Sequence, residues 1–478
     1  MQDFDLVVAG GGSGGFAAAL ASARRGLSVL LVERQSALGG TSTQAGVTGW
    51  EAGCGNTGIP FELYKRLKKI PHATGIYRLR RHCCWPEDGW FPGGENVLVP
   101  GLGYIDTCVR HALGTLDLRQ DKKSFRERIA GVVFEPQAMA MMMRTMLGET
   151  ERVTILTETS VAKAEIAGRR VSGVTLDSGA TVRPRFFVDA TGDGNLCTAC
   201  GCELLQGQDA KTRFGEPAAP DAPVAKVNGV SLIFRVTRNR ARDTVPVPTG
   251  SLPDACWWRD SPGSAHTVQF PDGDLSINIL PTMDGAEFLR LGYAASYQEC
   301  LKRLHFWWNW AQVRFPEWAD MHICWIAPSL GVRETRRTVC EYMLKQQDLE
   351  SGLVRQQHPD IIAIADHPMD FHGAGGHCQG VRSAYGIPYR CLIPKGFDNL
   401  LVSCRAAGLS SLAASSCRLS RTMMQLGQAA GVACALAVKR RVNLPSVSPE
   451  ELRNELAGEH VCLDFPPTPE LAAHLRCE

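Results

Sequence analysis

The first 33 residues alternate apolar runs with small-residue segments in an order that predicts strand, turn, helix and strand. The apolar run after Asp5 predicts a buried strand that ends at a glycine-rich turn. An Ala-rich stretch from about Phe16 to Arg25 predicts a helix, and Ser28 to Val32 predicts a second strand, which Glu33 ends. This order is typical of a βαβ unit, so we expect a parallel sheet.

Further along the chain, the pattern changes between helix and strand. Residues 135–148 are rich in Ala and Met with a Pro near the start, which predicts a helix. From Val153 to Val188, short strands alternate with turn residues, which predicts a β-meander that returns the chain to the parallel sheet at Thr191-Gly192. Strand-like runs at Val230 to Val236 and Thr267 to Leu280 precede a helix-like run from Ala286 to Phe306.

The turn after the first strand contains Gly10, Gly12 and Gly15 in G-x-G-x-x-G spacing. Gly10 permits a tight turn, Gly12 lets backbone N–H groups approach a pyrophosphate, and Gly15 allows the helix to pack closely on the strand. The helix N-terminus then faces negative charge. Glu33, about 20 residues further on, is placed to accept a hydrogen bond from a ribose hydroxyl.

A lone G-x-G-x-x-G is a weak signal, and a purely structural turn is the alternative. Here the strand, the helix and the acidic residue are all in place, which predicts a dinucleotide site for either NAD or FAD. After Arg34, the run Gly39-Gly40-Thr41-Ser42 extends the phosphate-binding turn along a longer cofactor. Arg185 to Gly194 predicts a further strand that breaks into a glycine turn.

With two later segments, Asn399 to Arg405 and Gly427 to Gly431, these motifs resemble the FAD-dependent oxidoreductases of the glutathione-reductase-like superfamily. More narrowly, the chain resembles the FAD-dependent oxidoreductase family with a xanthan-lyase-related description. The likeness covers nearly the whole chain, with four motifs in order. It implies FAD as the cofactor and oxidoreductase activity. The chain departs from the family at Cys404, where a glycine is usual, which puts the local backbone approach in doubt.

The resemblance also assigns residues to the cofactor. It implies that the ADP half is contacted by Gly10, Gly12, Ser13, Gly14, Gly15, Glu33, Arg34, Gly40 and Thr41. It places Val161 near the adenine, Ala190, Gly192 and Asp193 against the cofactor, and Arg405 and the segment up to Gln428 near the flavin ring. The helix expected from about Arg418 to Val438 would point its N-terminus at the flavin and stabilise the reduced form. Its small residues, Gly427, Ala430 and Gly431, would pack against the sheet.

Pattern and resemblance together predict an α/β fold: a Rossmann-like FAD-binding domain, made of a parallel sheet and a β-meander, with an inserted α+β substrate domain. The expected divisions are 1–210 for the first part of the FAD domain, 211–380 for the substrate domain, 381–445 for the last part of the FAD domain and 446–478 for a C-terminal tail. A chain of 478 residues is too long for one core.

Charge and composition exclude several classes of partner. Lys plus Arg (51) nearly balances Asp plus Glu (49), so no overall field draws the protein to nucleic acid or to anionic membranes. No apolar run reaches membrane-spanning length, and the N-terminus does not resemble a signal peptide. We therefore expect a cytoplasmic protein whose 18 cysteines are mostly reduced thiols.

Three residues are candidates for the chemistry. Arg333 lies in a Gly-Val-Arg-Glu-x-Arg-Arg run that resembles a family pattern, and its fork could bind a carboxylate or a hydroxyl-rich ligand. The alternative is a buried ion pair with Glu334 or another acid. His372 and His377, in a Gly-rich loop, are candidates for the base that takes a hydroxyl proton, although such histidines can serve hydrogen bonding alone. Arg405 or Arg418 could add positive charge at the flavin, unless it forms an ordinary ion pair.

Other clusters favour structural roles. Cys197-x-x-Cys200-x-Cys202 lacks a second ligand pair, so no metal site is expected. A redox disulfide is also disfavoured, because Thr41 and Ser42 occupy the positions where flavin disulfide reductases have their cysteine pair. His82-Cys83-Cys84-Trp85 could line a cleft or simply be packed, and the aromatic run Phe306 to Trp310 with Trp318 is more typical of a core than of sugar binding.

Two functions stay open. The first is an FAD enzyme that oxidises a polar, hydroxylated and possibly sugar-derived small substrate by hydride transfer to flavin N5. The second is an FAD monooxygenase or halogenase whose flavin is reduced separately. No second G-x-G-x-x-G follows a predicted strand, so we expect a separate electron acceptor, which the sequence leaves unknown, as it does the oligomeric state. A non-enzymatic flavin-binding protein has no support in the sequence.

Overall fold

The structure is a computed structural model that describes residues 3–51, 57–78, 130–246, 265–373, 378–379, 381, 383–464 and 467–476. Its strands are β1 (Leu6–Ala9), β2 (Val29–Val32), β3 (Gly49–Glu51), β4 (Thr74–Arg78), β5 (Ala130–Phe134), β6 (Val153–Leu156), β7 (Val161–Ala167), β8 (Arg170–Leu176), β9 (Thr181–Val182), β10 (Phe186–Asp189), β11 (Leu204–Gln206), β12 (Ile233–Thr237), β13 (Ala265–Gln269), β14 (Leu275–Ile279), β15 (His322–Ile326), β16 (Arg336–Thr338), β17 (Ile361–Ala365), β18 (Met369–Asp370), β19 (Cys378–Gln379), β20 (Tyr385–Pro388) and β21 (Leu400–Val402). The helices are α1 (Ser13–Arg24), α2 (Ile59–Lys68), α3 (Pro136–Gly148), α4 (Asn195–Ala199), α5 (Lys211–Phe214), α6 (Gly285–Arg314), α7 (Gln346–Arg355), α8 (Ser411–Cys417), α9 (Ser420–Arg440), α10 (Pro449–Gly458) and α11 (Pro469–Arg476).

Five parallel strands form the central sheet, in the order β21-β10-β1-β2-β6. Leu6 pairs with Phe186 on one side and with Val29 on the other. Strands β1, β2, β10 and β21 are buried along their whole length, as their continuous apolar runs require. The predicted fold class, α/β with a parallel sheet, is confirmed.

The predicted β-meander is also present. Strands β7, β8 and β9 form an antiparallel sheet, after which β10 returns the chain to the parallel sheet. The side chain of Asn399 joins the meander to the start of β21, because its amide accepts from Val171 N–H at 2.9 Å and donates to Val171 O at 2.9 Å.

A second sheet is antiparallel, with strand order β13-β14-β12-β15, and has its own core with α6. The strand expected from Thr267 to Leu280 is a hairpin of β13 and β14. Trp307, Trp308 and Trp318 are almost fully buried in this core, so these aromatic residues pack inside the protein. Helix α6 is longer than predicted and is interrupted at Gly292, which has non-helical backbone angles.

The helix expected from about Arg418 to Val438 is α9 (Ser420–Arg440), and a short helix that was not predicted, α8 (Ser411–Cys417), precedes it. Ser410 begins α8, because its hydroxyl accepts from Ala413 N–H at 3.1 Å, and a turn at Arg418 and Leu419 separates α8 from α9. The small residues of α9 pack on α1 and not directly on the sheet. A Cβ atom on Gly427 would lie 2.0 Å from Gly14 O, so the two helix backbones are in contact.

No helix among the described residues is long and apolar enough to cross a membrane. The cysteines that the structure describes are free thiols.

Candidate functional site

The carboxyl ends of the parallel strands bring together the loops that the sequence analysis assigned to the cofactor. Ala190 N–H donates to Ala9 O at 2.7 Å, and Ser403 N–H donates to Asp189 O at 2.8 Å, so neighbouring loops begin at the same level of the sheet. Ligands of open α/β sheets bind at this edge. The loops are residues 10–12 after β1, 33–42 after β2, 190–193 after β10 and 403–405 after β21.

Three glycines at the start of α1 are required by packing. Gly10 has φ +97°, and a Cβ atom there would lie 2.4 Å from Ala190 O. A Cβ atom on Gly15 would lie 1.8 Å from Gly10 O, and one on Gly14 would lie 1.8 Å from Ser403 O. These glycines therefore let α1 sit directly against the loops around it, which is the close packing expected of Gly15.

Gly12 differs from these glycines. A Cβ atom there would meet only Gly40 Cα, at 4.0 Å, so the space in front of Gly12 is open. The N-cap residue of α1 is Gly12 itself, which has no side chain to cap the helix. The hydroxyls of Ser13 and Ser42 are buried with no hydrogen-bond partner among the described residues, and Thr41 lies in the same 3₁₀ turn as Ser42. Open space, free hydroxyl donors and a helix N-terminus suit the two phosphates of a dinucleotide, so these residues fit FAD.

Glu33 is buried at the end of β2 and binds the turn after β1. Its Oε2 accepts from Gly11 N–H at 2.6 Å, and its Oε1 accepts from Gln35 N–H at 2.8 Å. Because each carboxylate oxygen has two lone pairs, a ribose hydroxyl can still donate to Glu33. Thr159 N–H donates to Glu33 O at 3.0 Å, which brings the loop before half-buried Val161 beside Glu33. The ribose and adenine assignments stay predictions.

The neighbouring Arg34 is exposed. Its guanidinium lies 5.7 Å from the centre of the Tyr293 ring in α6. The side chain therefore spans from the cofactor-binding loop to the second sheet's helix, and its contact with the ADP half stays a prediction.

Asp193 and Arg405 form an ion pair between the loops after β10 and β21. Arg405 Nη2 and Thr335 Oγ1 donate to Asp193 Oδ1 at 2.6 Å and 2.7 Å. Burial raises the pKa of Asp193, but the charge of Arg405 and these hydrogen bonds outweigh it and keep the pKa below its usual value. Gly192 has φ +84°, and a Cβ atom there would lie 2.7 Å from Arg405 Nη1, so a glycine is needed beside the guanidinium.

Cys404, the departure from the family pattern, is buried. Burial raises the pKa of its thiol to about 12, so the side chain is a neutral thiol at neutral pH. It replaces the family's usual glycine without an added charge.

Gln428 lies inside α9, away from the helix ends. Its carbonyl accepts from Ile59 N–H at 3.1 Å and its amide donates to Glu459 at 2.7 Å, so both ends of the side chain join α9 to other helices. Its predicted contact with the flavin ring is not tested, and its visible role is packing.

A second group of polar side chains gathers around Asp370. His372 Nε2 lies 2.6 Å from Asp370 Oδ2, and Arg418 Nη2 lies 3.5 Å from the same oxygen. Arg333 donates from Nη1 to Gly229 O at 2.8 Å. His372, Arg333 and Arg418 are separate candidates in the sequence, and the structure brings them together. Asp370 was not predicted, although the Asp-x-His spacing places both side chains on one side of an extended chain.

The charges in this group set its protonation. Burial and the positive charge of Arg333 lower the pKa of His372 to about 4, although Asp370 acts to raise it, so the imidazole is neutral at neutral pH. Burial opposes the ionisation of Asp370, but the hydrogen bond from His372 and the charges around it keep the pKa of that carboxyl far below its usual range. Because Nε2–H donates to Asp370, Nδ1 is the ring nitrogen that can accept a proton.

The chain segment 329–337 connects this group to the cofactor loops. Ser329 N–H donates to Gln44 O at 3.1 Å, next to the phosphate-binding turn, and Thr335 binds Asp193. Arg333 lies between these two anchor points, so it is held near the edge of the sheet where the cofactor loops meet. Glu334 pairs with Arg337 at 3.3 Å and is not the partner of Arg333.

His377 and the run from His82 to Trp85 lie outside the described residues. Cys197 and Cys200 are buried, and burial raises the pKa of both thiols, as expected for structural cysteines. Among the residues that the structure describes, no group of three or more His, Cys, Asp or Glu side chains could hold a metal ion.

Comparison with known proteins identifies the class. Residues 5–456 match the model of a family described as FAD dependent oxidoreductase. No curated protein matches the chain. Solved structures with a similar course of the chain include a geranylgeranyl bacteriochlorophyll reductase-like protein from Thermoplasma acidophilum (12% identity, TM-score 0.46, covering 100% of this chain and 96% of that one). They also include the amino acid oxidase NikD of nikkomycin biosynthesis (14% identity, TM-score 0.45, covering 91% of this chain and 94% of that one). A further example is a probable FAD-dependent monooxygenase, PqsL, from Pseudomonas aeruginosa (12% identity, TM-score 0.41, covering 99% of this chain and 94% of that one).

Proposed function

Since the chain belongs to the FAD dependent oxidoreductase family, and is therefore an FAD-dependent enzyme, we propose that it oxidises a small hydroxylated substrate and that His372 is the base. The observation that carries this proposal is the Asp370–His372 pair. A half-buried imidazole that is neutral at working pH, with one nitrogen fixed by a carboxylate, has its other nitrogen available to take a proton as a general base.

FAD, when bound, supplies flavin N5, which accepts the hydride from the carbon that bears the hydroxyl. The protein residues handle the proton. As the C–H bond breaks, the hydroxyl proton passes to Nδ1 of His372 and the substrate becomes a carbonyl compound. Asp370 holds the ring in the required tautomer and stabilises the imidazolium that forms. The proton later leaves to solvent.

Two hydrogen bonds, one to its backbone N–H and one to its backbone carbonyl, fix the position of His372. Its N–H donates to the side-chain oxygen of Asn228 at 3.0 Å, and its carbonyl accepts from Gly229 N–H at 2.9 Å. Asn228 also donates to Glu334, the neighbour of Arg333, at 3.3 Å. The base and the arginine are therefore positioned by one shared contact, which supports the proposal that they act on the same substrate.

The test is anaerobic reduction of the flavin by a panel of alcohols and sugars, which is monitored through the absorbance of the flavin. We expect His372→Ala to keep FAD and a normal flavin spectrum but to slow reduction by about 10² to 10⁴-fold. His358→Ala is the matched control, because His358 also pairs with a carboxylate, Asp348, at 3.1 Å but does not belong to the group around Asp370. Wild-type reduction by His372→Ala would remove this residue from the mechanism.

The same assay addresses the monooxygenase or halogenase alternative. Rapid anaerobic reduction by NADPH without another substrate would favour that alternative over direct oxidation of an alcohol. The narrower likeness to the xanthan-lyase-related group is part of the proposal, and reduction by sugar-derived members of the panel would support it.

A further inference from the structure

Arg333 is half-buried and differs in its partners from Arg337 and Arg235, which are buried. Arg337 binds Asp209 at 2.5 Å, and Arg235 binds three carboxylates. In the described parts of the chain, no carboxylate lies within ion-pair distance of Arg333, whose Nη1 bonds only the neutral Gly229 O and Ser231 Oγ, at 2.8 Å and 3.0 Å. A cation that is partly withdrawn from water gains from a nearby anion, so this position favours a ligand that supplies one.

Arg418 brings a second positive charge close to Arg333. Burial and the nearby charge of Arg418 lower the pKa of Arg333 to about 9, and the guanidinium still remains charged at neutral pH. Asp370, the carboxylate that the described residues place in this group, already bonds His372. A carboxylate on a ligand would supply Arg333 with an anion of its own.

We infer that Arg333 and Arg418 together recognise a carboxylate on the substrate, so that the substrate is a hydroxy acid. The planar fork of a guanidinium matches a carboxylate and distinguishes it from an uncharged hydroxyl. The part of this inference that concerns the hydroxyl rests on the proposed function.

The geometry also limits where the two functional groups of the substrate lie. His372 and Arg418 approach the same oxygen of Asp370, at 2.6 Å and 3.5 Å, so the base and the arginine are close neighbours. A substrate that reaches both has its hydroxyl and carboxylate near each other on the carbon chain. This describes 2-hydroxy acids and sugar acids, in preference to long-chain acids with a remote hydroxyl.

The test uses matched probes on the FAD-loaded protein. Lactate is compared with propane-1,2-diol, and D-gluconate with D-glucitol, because the members of each pair differ at the carboxylate. Malonate, which lacks a hydroxyl, and inorganic phosphate are added as anions that cannot be oxidised. Binding is measured by isothermal titration calorimetry and reduction by anaerobic flavin absorbance, so that affinity is read independently of turnover.

We expect carboxylates to bind and their neutral counterparts to bind at least about tenfold more weakly, since a hydrogen bond to a charged group is worth one to two powers of ten in affinity. Arg333→Gln and Arg418→Gln should each weaken the binding of malonate by about 10 to 100-fold while retaining FAD. Arg238→Gln, which removes the same charge from the exposed pair with Asp320, should leave it unchanged.

The inference is overturned if neutral probes bind as well as the acids, if phosphate binds more tightly than every carboxylate, or if no carboxylate binds at about 10 mM, ten times the top of the usual KM range. It is also overturned if malonate affinity is unchanged in both arginine variants. The proposed function fails separately: arginine-dependent binding of acids without any flavin reduction would retain the carboxylate site and reject the oxidation of a hydroxyl. Reduction by neutral alcohols with no binding of acids would retain the oxidation of a hydroxyl and reject the carboxylate site.

Discussion

Replacing Gly12 by Val tests whether Gly12 leaves room for the cofactor while other glycines of the turn, such as Gly14, are needed for the fold. A Cβ atom on Gly12 meets nothing closer than 4.0 Å, and the backbone there is extended, with φ −69° and ψ −169°. A valine can adopt that conformation. We therefore expect the fold to tolerate Gly12→Val, with a loss of at most about 1 kcal/mol at the start of α1.

The cofactor should not tolerate the same change, because the added methyl groups occupy the open space beside the N-terminus of α1. If two hydrogen bonds to the phosphates are lost, at about 1.5–3 kcal/mol each, the affinity for FAD falls by roughly 10² to 10⁴-fold. Gly14→Ala is the matched control with the opposite expectation. Its methyl group would lie 1.8 Å from Ser403 O, which no side-chain rotation can relieve, so we expect destabilisation at or above the upper end of the usual 1–3 kcal/mol for overpacking.

The assay combines thermal unfolding of each variant after removal of FAD with a titration of FAD followed by flavin fluorescence. Gly12→Val should unfold near the wild-type temperature and bind FAD weakly. Gly14→Ala should unfold at a lower temperature. Wild-type affinity for FAD in Gly12→Val, or wild-type stability of Gly14→Ala, would refute this division of roles.

Three further predictions follow from the buried groups. The value of kcat/KM should be constant near neutral pH and fall as the pH drops towards about 4. The reason is that burial and Arg333 lower the pKa of His372, and only the neutral form of the imidazole accepts a proton. A fall of kcat/KM that is centred near pH 6.5 would contradict this. Because that folded-state pKa lies below the ordinary value, stability from the neutral ring is complete above about pH 6.5 and is lost as the pH falls towards 4, which denaturant unfolding at several pH values would detect. Arg337→Met should cost about 3–5 kcal/mol in urea unfolding, because it leaves Asp209 and Glu334 buried without their cation; a change below 1 kcal/mol would contradict the structural role of these ion pairs.

The parallel sheet could be predicted from the sequence because its strands are buried on both faces. Their apolar runs, together with a glycine turn and an acid at fixed spacing, leave few other folds. The helix expected from about Arg418 to Val438 could also be predicted, and it is α9 (Ser420–Arg440). The short helix α8 before it was not predicted, because its start depends on one side chain, the Ser410 hydroxyl that caps it.

The group around Asp370 could not be predicted as a unit, because its members come from three separate parts of the chain. The sequence offered an arginine with an expected acidic neighbour, Glu334, and a histidine in a Gly-rich loop. Only the fold shows that Glu334 turns to Arg337, so that the ion-pair partner expected of Arg333 is taken by another arginine. Gln428, which the resemblance places near the flavin, packs between helices, and its contact with the flavin stays a prediction.

The segment from Ser329 to Arg337 explains how a site made of distant residues can be held in place. It is tied to the phosphate-binding turn through Gln44 at one end and to the loop after β10 through Thr335 at the other. Arg333 lies between these ties, so a shift of either loop would displace the arginine for which we propose a role in substrate binding. If these loops hold FAD, one continuous stretch of backbone would align the cofactor with the proposed substrate group, and the contact between Asn228 and His372 would extend that alignment to the proposed base.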